Sequence, residues 1–149
     1  MTGCILMMWA AIQAPILTCD CLAPTPEGAL QAAAVIFVGT VRSIEPVHIA
    51  DGKVKKGGDP NGSPVTWRAV KFRVVEAFKG VSSSRVVIIS SAPRCEIGFE
   101  LGQTYLVYAH SSGYQPGFLT TTGCDRTYNI ERGGDEVKWL REQVKPPAN

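Results

Sequence analysis

Hydrophobic and polar positions alternate through much of this chain. Val70, Phe72 and Val74 are separated by Lys71 and Arg73, the two-residue period of a strand with one wet face, which predicts a strand over residues 65–78 ending in a Lys79-Gly80 turn. Residues 35–44 are rich in β-branched side chains and broken only by Gly39, so they predict one long strand with a bulge or sharp bend at the glycine. Shorter strand signals, each bounded by Gly, Pro or Ser, occupy residues 85–90, 104–109 and 117–122. Between the first two strands, residues 51–64 hold Gly52, Gly57, Gly58 and Gly62 with Lys53, Lys55 and Lys56, which predicts a polar loop without a core face and with solvated lysines.

A short helix is expected at each end of the strand region. Thr25 can cap an Ala-rich helix within residues 24–34, with Pro26 in its first turn and Leu30 packing on the sheet. Asp135 can cap a second helix in which Val137, Leu140 and Val144 recur at helical spacing, stopped by Lys145-Pro146-Pro147. The predicted fold class is therefore all-β with short flanking helices, and five strands in this setting suit a Greek-key barrel of the OB type. No internal repeat or second domain is evident, and residues 19–149 read as one unit.

Composition sharpens this picture. A chain of 149 residues with 45% hydrophobic and 19% charged side chains can bury a real core. The net charge of +2 is too small to suggest a strong phosphate-binding surface, so nucleic acid is not an expected partner. Residues 1–18 carry no charged side chain, and residues 4–11 form an apolar run of h-region length, which predicts a signal peptide and a secreted or cell-envelope protein. The run is shorter than the roughly 20 residues needed to cross a bilayer, so no membrane span is expected.

Cleavage after residue 18 would remove Cys4 and leave Cys19, Cys21, Cys95 and Cys124, an even number that predicts two disulfides in an oxidising compartment. A bridge between Cys19 and Cys21 would be strained, so each should reach a distant cysteine, in an order the spacing leaves open. A four-cysteine zinc site is disfavoured, because Cys95 and Cys124 are solitary and structural zinc ligands come in closely spaced pairs.

Recognisable catalytic chemistry is missing. His48 and His110 lack the company that metal ligation requires, no phosphate loop or nucleophile elbow occurs, and Asp135-Glu136 reads as charge at a helix N-terminus. The expectation is a monomeric protein that is not an enzyme and needs no cofactor.

Several segments together resemble the inhibitory N-terminal, netrin-like domain of the tissue inhibitors of metalloproteinases. These are Cys19-Asp20-Cys21-Leu22-Ala23-Pro24, the strand closing in Phe78-Lys79-Gly80, Ala92-Pro93-Arg94-Cys95-Glu96-Ile97, Gly102-Gln103-Thr104-Tyr105-Leu106-Val107 and Thr122-Gly123-Cys124-Asp125. The likeness runs over about residues 19–130, and the joint order of the motifs carries it. It implies an OB barrel with Cys19 as the mature N-terminus, bridged to Cys95, and with Cys21 bridged to Cys124. It further implies that the Cys19 amine and carbonyl chelate the catalytic zinc of a target metalloproteinase. Asp20 would then point into the pocket just beyond the zinc with Leu22 beside it, and Ala92, Pro93 and Arg94 would form the second strip of the contact ridge. Asp20 stands where the family has a small uncharged residue, which calls for a target with a basic pocket. The alternative is a netrin-like binding module without inhibitory activity.

Overall fold

A computed structural model of the chain describes residues 21–62, 67–90, 95–112 and 116–144. A short helix, α1 (Pro26–Ala32), precedes β1 (Val35–Ala50), β2 (Lys53–Lys56), β3 (Trp67–Lys79), β4 (Arg85–Ser90), β5 (Thr104–Ser111), β6 (Leu119–Thr120) and β7 (Tyr128–Asn129), and α2 (Ile130–Gln143) follows. The fold is all-β with two short helices, as the alternation predicts, but the described residues hold seven strands rather than five. No helix among them is long and apolar enough to cross a membrane.

Two departures from the sequence pattern have local causes. The first strand does not stop at Ile44 but runs to Ala50, and the chain then turns through Asp51 and Gly52, both at positive φ (54° and 68°), into β2. Paired positive φ at a two-residue Asp-Gly loop suits the right-handed twist of a hairpin. The lysines of β2 are exposed, but Val54 between them is half-buried against the core, so this segment is not wholly without an inward face. The second helix begins at Ile130, five residues before the expected cap, because the Asn129 side chain accepts a hydrogen bond from Glu131 N at 3.1 Å. Gly133 and Gly134 hide this start, since each disfavours a helix by about 1 kcal/mol relative to alanine. Asp135 and Glu136 therefore lie inside α2, not at its N-terminus.

The ladders run β2-β1-β3-β4-β6-β5-β7, and β1 pairs in addition with β5. Strands β1, β3, β4, β6 and β5 thus form a ring of pairings, in which the parallel β4–β6 link consists of one residue pair, Ile88 with Leu119. Side chains on one face of these strands form the first apolar cluster. Phe37, Phe72, Phe99 and Tyr105 stack edge to face in sequence, with ring centroids 5.5, 5.3 and 4.9 Å apart, among Val41, Val70 and Ile88. On the opposite face of β1 and β5, Ile36, Val38, Leu106 and Tyr108 meet α1 and α2 through Ala29, Ala33, Val137 and Leu140. Leu30, the expected anchor of α1, packs against this cluster while remaining partly exposed, and Ala29 and Ala33 are buried beside it.

The turn after β3 locks α1 in place. Lys79 Nζ donates to the carbonyls of Leu30 (2.8 Å) and Gln31 (2.9 Å), placing a cation at the C-terminal end of α1. Gly80 follows at φ 65°, and a Cβ there would collide with the Ala34 carbonyl oxygen. Gly80→Ala is thus expected to cost about 2 kcal/mol or more, against about 1 kcal/mol for Gly102→Ala, which has positive φ but open space around it. The difference should appear in urea unfolding as a lower midpoint at unchanged slope.

Helix α2 is also tied to β3 by charge. Arg141 donates to Glu76 (Nε to Oε1 2.9 Å, NH2 to Oε2 2.7 Å), and this hydrogen bond holds the Glu76 carboxyl below its ordinary value against the opposing effect of burial. A depressed carboxylate stabilises the fold above its ordinary value of 4.5 and loses that contribution as pH falls through the lower folded value. Because the pair is largely exposed, Glu76→Gln should cost no more than about 1 kcal/mol at neutral pH. The deficit should shrink in unfolding measurements as pH is lowered below 4.5.

Candidate functional site

The segment that leads into α1 is held from several sides. Cys21 forms a disulfide with Cys124, 103 residues away, with the two Cα atoms 5.9 Å apart. A loop of that length gains roughly 4 to 5 kcal/mol on loop-closure grounds. Cys95 is also disulfide-bonded, and the sulfurs of Cys21, Cys95 and Cys124 lie within 4.8 Å of one another. Sulfurs engaged in bridges have no thiolate to offer a metal, so this closeness reflects neighbouring disulfides. The Cys95 carbonyl accepts from Gly123 N at 2.8 Å, and Glu96 pairs with Arg68 of β3, which seats this strip beside the Cys124 loop.

The loop bearing Cys124 is rigid because its short polar side chains satisfy its backbone. Asp125 Oδ2 accepts from Thr122 N (2.7 Å) and Thr122 Oγ1 (2.8 Å), and Thr122 Oγ1 in turn accepts from Cys124 N (3.2 Å). Buried Thr121 and Thr127 anchor both ends of the loop on β5. Thr121 Oγ1 donates to the Tyr108 carbonyl (2.6 Å), and Tyr108 N donates to Thr127 Oγ1 (2.9 Å). His110 Nε2 lies 3.2 Å from Asp125 Oδ1, so this histidine braces the same loop from β5, while His48 Nδ1 lies 3.2 Å from the Gly57 carbonyl in the β1–β2 hairpin.

A second fastening was not foreseen from the sequence. Arg126, at φ 60°, donates through NH1 to the Pro24 carbonyl (3.0 Å) and through Nε and NH2 to both oxygens of Glu136 in α2 (2.9 and 2.6 Å). The buried Tyr108 hydroxyl completes the group by donating to Glu136 Oε1 at 2.7 Å. Burial first, and then this bond to a carboxylate, push the Tyr108 hydroxyl well above the ordinary tyrosine value, so it remains a donor at all physiological pH. Glu136 is therefore a structural partner rather than a charge at a helix start. No spacing rule pairs residues 126 and 136, which sit on different elements.

Residues 21–24 are thus fastened at one end by a disulfide and at the other by a guanidinium. Thr25 then caps α1, its side chain accepting from Gly28 N at 3.1 Å. Leu22 projects from this fastened segment with 99% of its surface exposed. The expected site residues Cys21, Leu22, Cys95 and Cys124 therefore fall at one end of the sheet. The expected pairing of Cys19 with Cys95, and the residues Cys19, Asp20, Ala92, Pro93 and Arg94, lie outside the described residues, as does the signal segment 1–18.

Removing Arg126 would leave Glu136, whose side chain is 9% exposed, without its cation. Arg126→Met is expected to destabilise by about 3 kcal/mol, and Arg126→Met with Glu136→Gln by less than that single change, since no unpaired charge then stays buried. Thermal unfolding of the four proteins of the cycle measures this. Amide exchange at Leu22 and Ala23 should quicken in the single variant.

No protein-family model matches the chain, and no curated protein matches it either.

Proposed function

We propose that the chain is an exported inhibitor of zinc metalloproteinases that acts through the amine and carbonyl of Cys19. The observation that carries this reading is the Cys21–Cys124 disulfide, the pairing implied by resemblance to the tissue inhibitors of metalloproteinases. The ring of ladders through β1, β3, β4, β6 and β5 supports the matching fold, a five-stranded Greek-key barrel of the OB type.

The chemistry follows from what a catalytic zinc lacks. Three protein ligands leave a position for water, and an α-amine with the carbonyl of the same residue can take that place as a bidentate ligand. The amine must be neutral, and its ordinary pKa near 8 lets it yield a proton to the metal's field. With Cys19 as the first residue, no peptide bond precedes it for the protease to cut. A segment already fastened at Cys21 and Pro24 loses little freedom on docking, which favours tight binding. Leu22 would fill an apolar pocket, and Ala92, Pro93 and Arg94 would lie alongside. Asp20 would need a cationic pocket, because a carboxylate buried without a partner costs several kcal/mol.

N-terminal sequencing and intact mass of the exported protein, followed by a panel of metalloproteinases, test the reading. The expected result is a chain beginning at Cys19 that inhibits at least one such enzyme and loses inhibition by about a hundredfold or more when one alanine is added before Cys19. A mature chain starting elsewhere, a lipid on Cys19, or inhibition that survives the added alanine would overturn it.

A further inference from the structure

The outer face of β1, β3 and β4 carries a cluster of arginines. Arg73 on β3 and Arg85 on β4 are directly opposed across the ladder, and both are exposed. Arg42 joins them from β1, at a register shift between Val41 and Ser43 that leaves it exposed beside the same ladder. None of the three arginines has a carboxylate partner among the described residues. Like charges directly opposite one another oppose strand pairing, so their placement here works against the fold and asks for an external anion.

These side chains line a hollow of about 360 Å³ with Ser43, Lys71 and Val87. Lys71 and Val87 also border a second hollow of about 420 Å³ farther along the strands, where Lys56 adds another cation. Around the two hollows, Arg42, Arg73, Arg85, Lys71 and Lys56 face one carboxylate, Glu45, which Lys71 already engages at 2.8 Å. The chain as a whole carries only +2, so this face is far more basic than the average surface.

We propose that this groove binds a linear anionic polysaccharide, its repeated sulfate or carboxylate groups taken by the guanidinium forks. Same-face positions along a strand, such as Lys71 and Arg73, recur at roughly 7 Å, and neighbouring strands at about 4.8 Å, which presents cations in rows rather than at one point. Arginine suits oxyanions because its planar donors engage them two at a time. A polysaccharide fits better than single-stranded nucleic acid. Binding of unpaired bases relies on exposed aromatic platforms, whereas of the two aromatic side chains that line the hollows Phe72 is 1% exposed and turned into the core, and Phe118, in the second hollow, is partly buried against Val47, Ala69 and Ile89. The disulfides also point to an oxidising compartment outside the cell's nucleic acid. This inference uses none of the Cys19 chemistry and stands or falls separately from it.

The test is binding of the full exported chain to heparin, to hyaluronan and to a single-stranded oligonucleotide, by calorimetry at two salt concentrations. Heparin reports the sulfate form of the ligand and hyaluronan the carboxylate form. Arg73→Gln with Arg85→Gln should weaken polysaccharide binding about tenfold or more and flatten its salt dependence, while Lys53→Gln with Lys138→Gln, the same charge change elsewhere, should alter it less than about twofold. The arginine pair should unfold at the same temperature as the parent or a higher one, which separates lost binding from lost fold. Equal weakening by both pairs, tighter binding to the oligonucleotide than to either polysaccharide, or no binding to either polysaccharide would overturn the proposal.

Discussion

Strand β1 has to serve three partners at once, and the rest of the architecture depends on how it does so. Its 16 residues pair with β3 along most of their length, with β5 over residues 35–40 and with β2 over residues 47–50. A straight strand could not follow both neighbours as they diverge. The β1–β3 ladder accommodates this with three register shifts that leave Phe78 and Val75 of β3 and Arg42 of β1 unpaired, each adding local bend and twist to the strand that bears it. Alternation along β1 points Phe37 and Val41 into one apolar cluster while Ile36 and Val38, on the opposite face, reach the helices. One strand therefore links two apolar clusters, and side chains on opposite faces of it are buried for different reasons.

The end of the molecule that bears the cysteines is organised on another principle. Few apolar side chains are available there, and order comes from covalent closure and from polar groups that satisfy one another. Thr122, Asp125 and the backbone of Cys124 form a local network, and Arg126 and Glu136 connect it to α2. Such an arrangement can hold an exposed apolar residue such as Leu22 in one place without burying it. Presentation of a fixed, solvent-facing strip is a property shared by protein ligands that bind without refolding.

Charge is distributed in a way that the net value conceals. Acidic side chains on α2 and β3 are engaged by arginines, as in Glu136 with Arg126 and Glu76 with Arg141. Three arginines without such a partner among the described residues, Arg42, Arg73 and Arg85, lie together on the outer face of β1, β3 and β4, while Arg132 of α2 lies over the Tyr128 ring.

The sequence by itself determined the strand periodicity. Val70, Phe72 and Val74 alternate with Lys71 and Arg73 because a half-buried strand requires it, and strand-forming runs bounded by Gly, Pro or Ser located β4 and β5. It also pointed to a distant partner for Cys21, since a bridge between two cysteines one residue apart would be strained. The β1–β2 hairpin was legible in Asp51-Gly52 but masked by the lysines and glycines that follow, and the start of α2 was masked by Gly133-Gly134. Tertiary structure alone decided that Arg126 meets Glu136, Tyr108 and Pro24, and that Arg42, Arg73 and Arg85 converge. These side chains come from strands, loops and a helix far apart in the chain. Their meeting depends on the ladder register and on the bend in β1, which are set by packing of the whole sheet and leave no trace in local spacing.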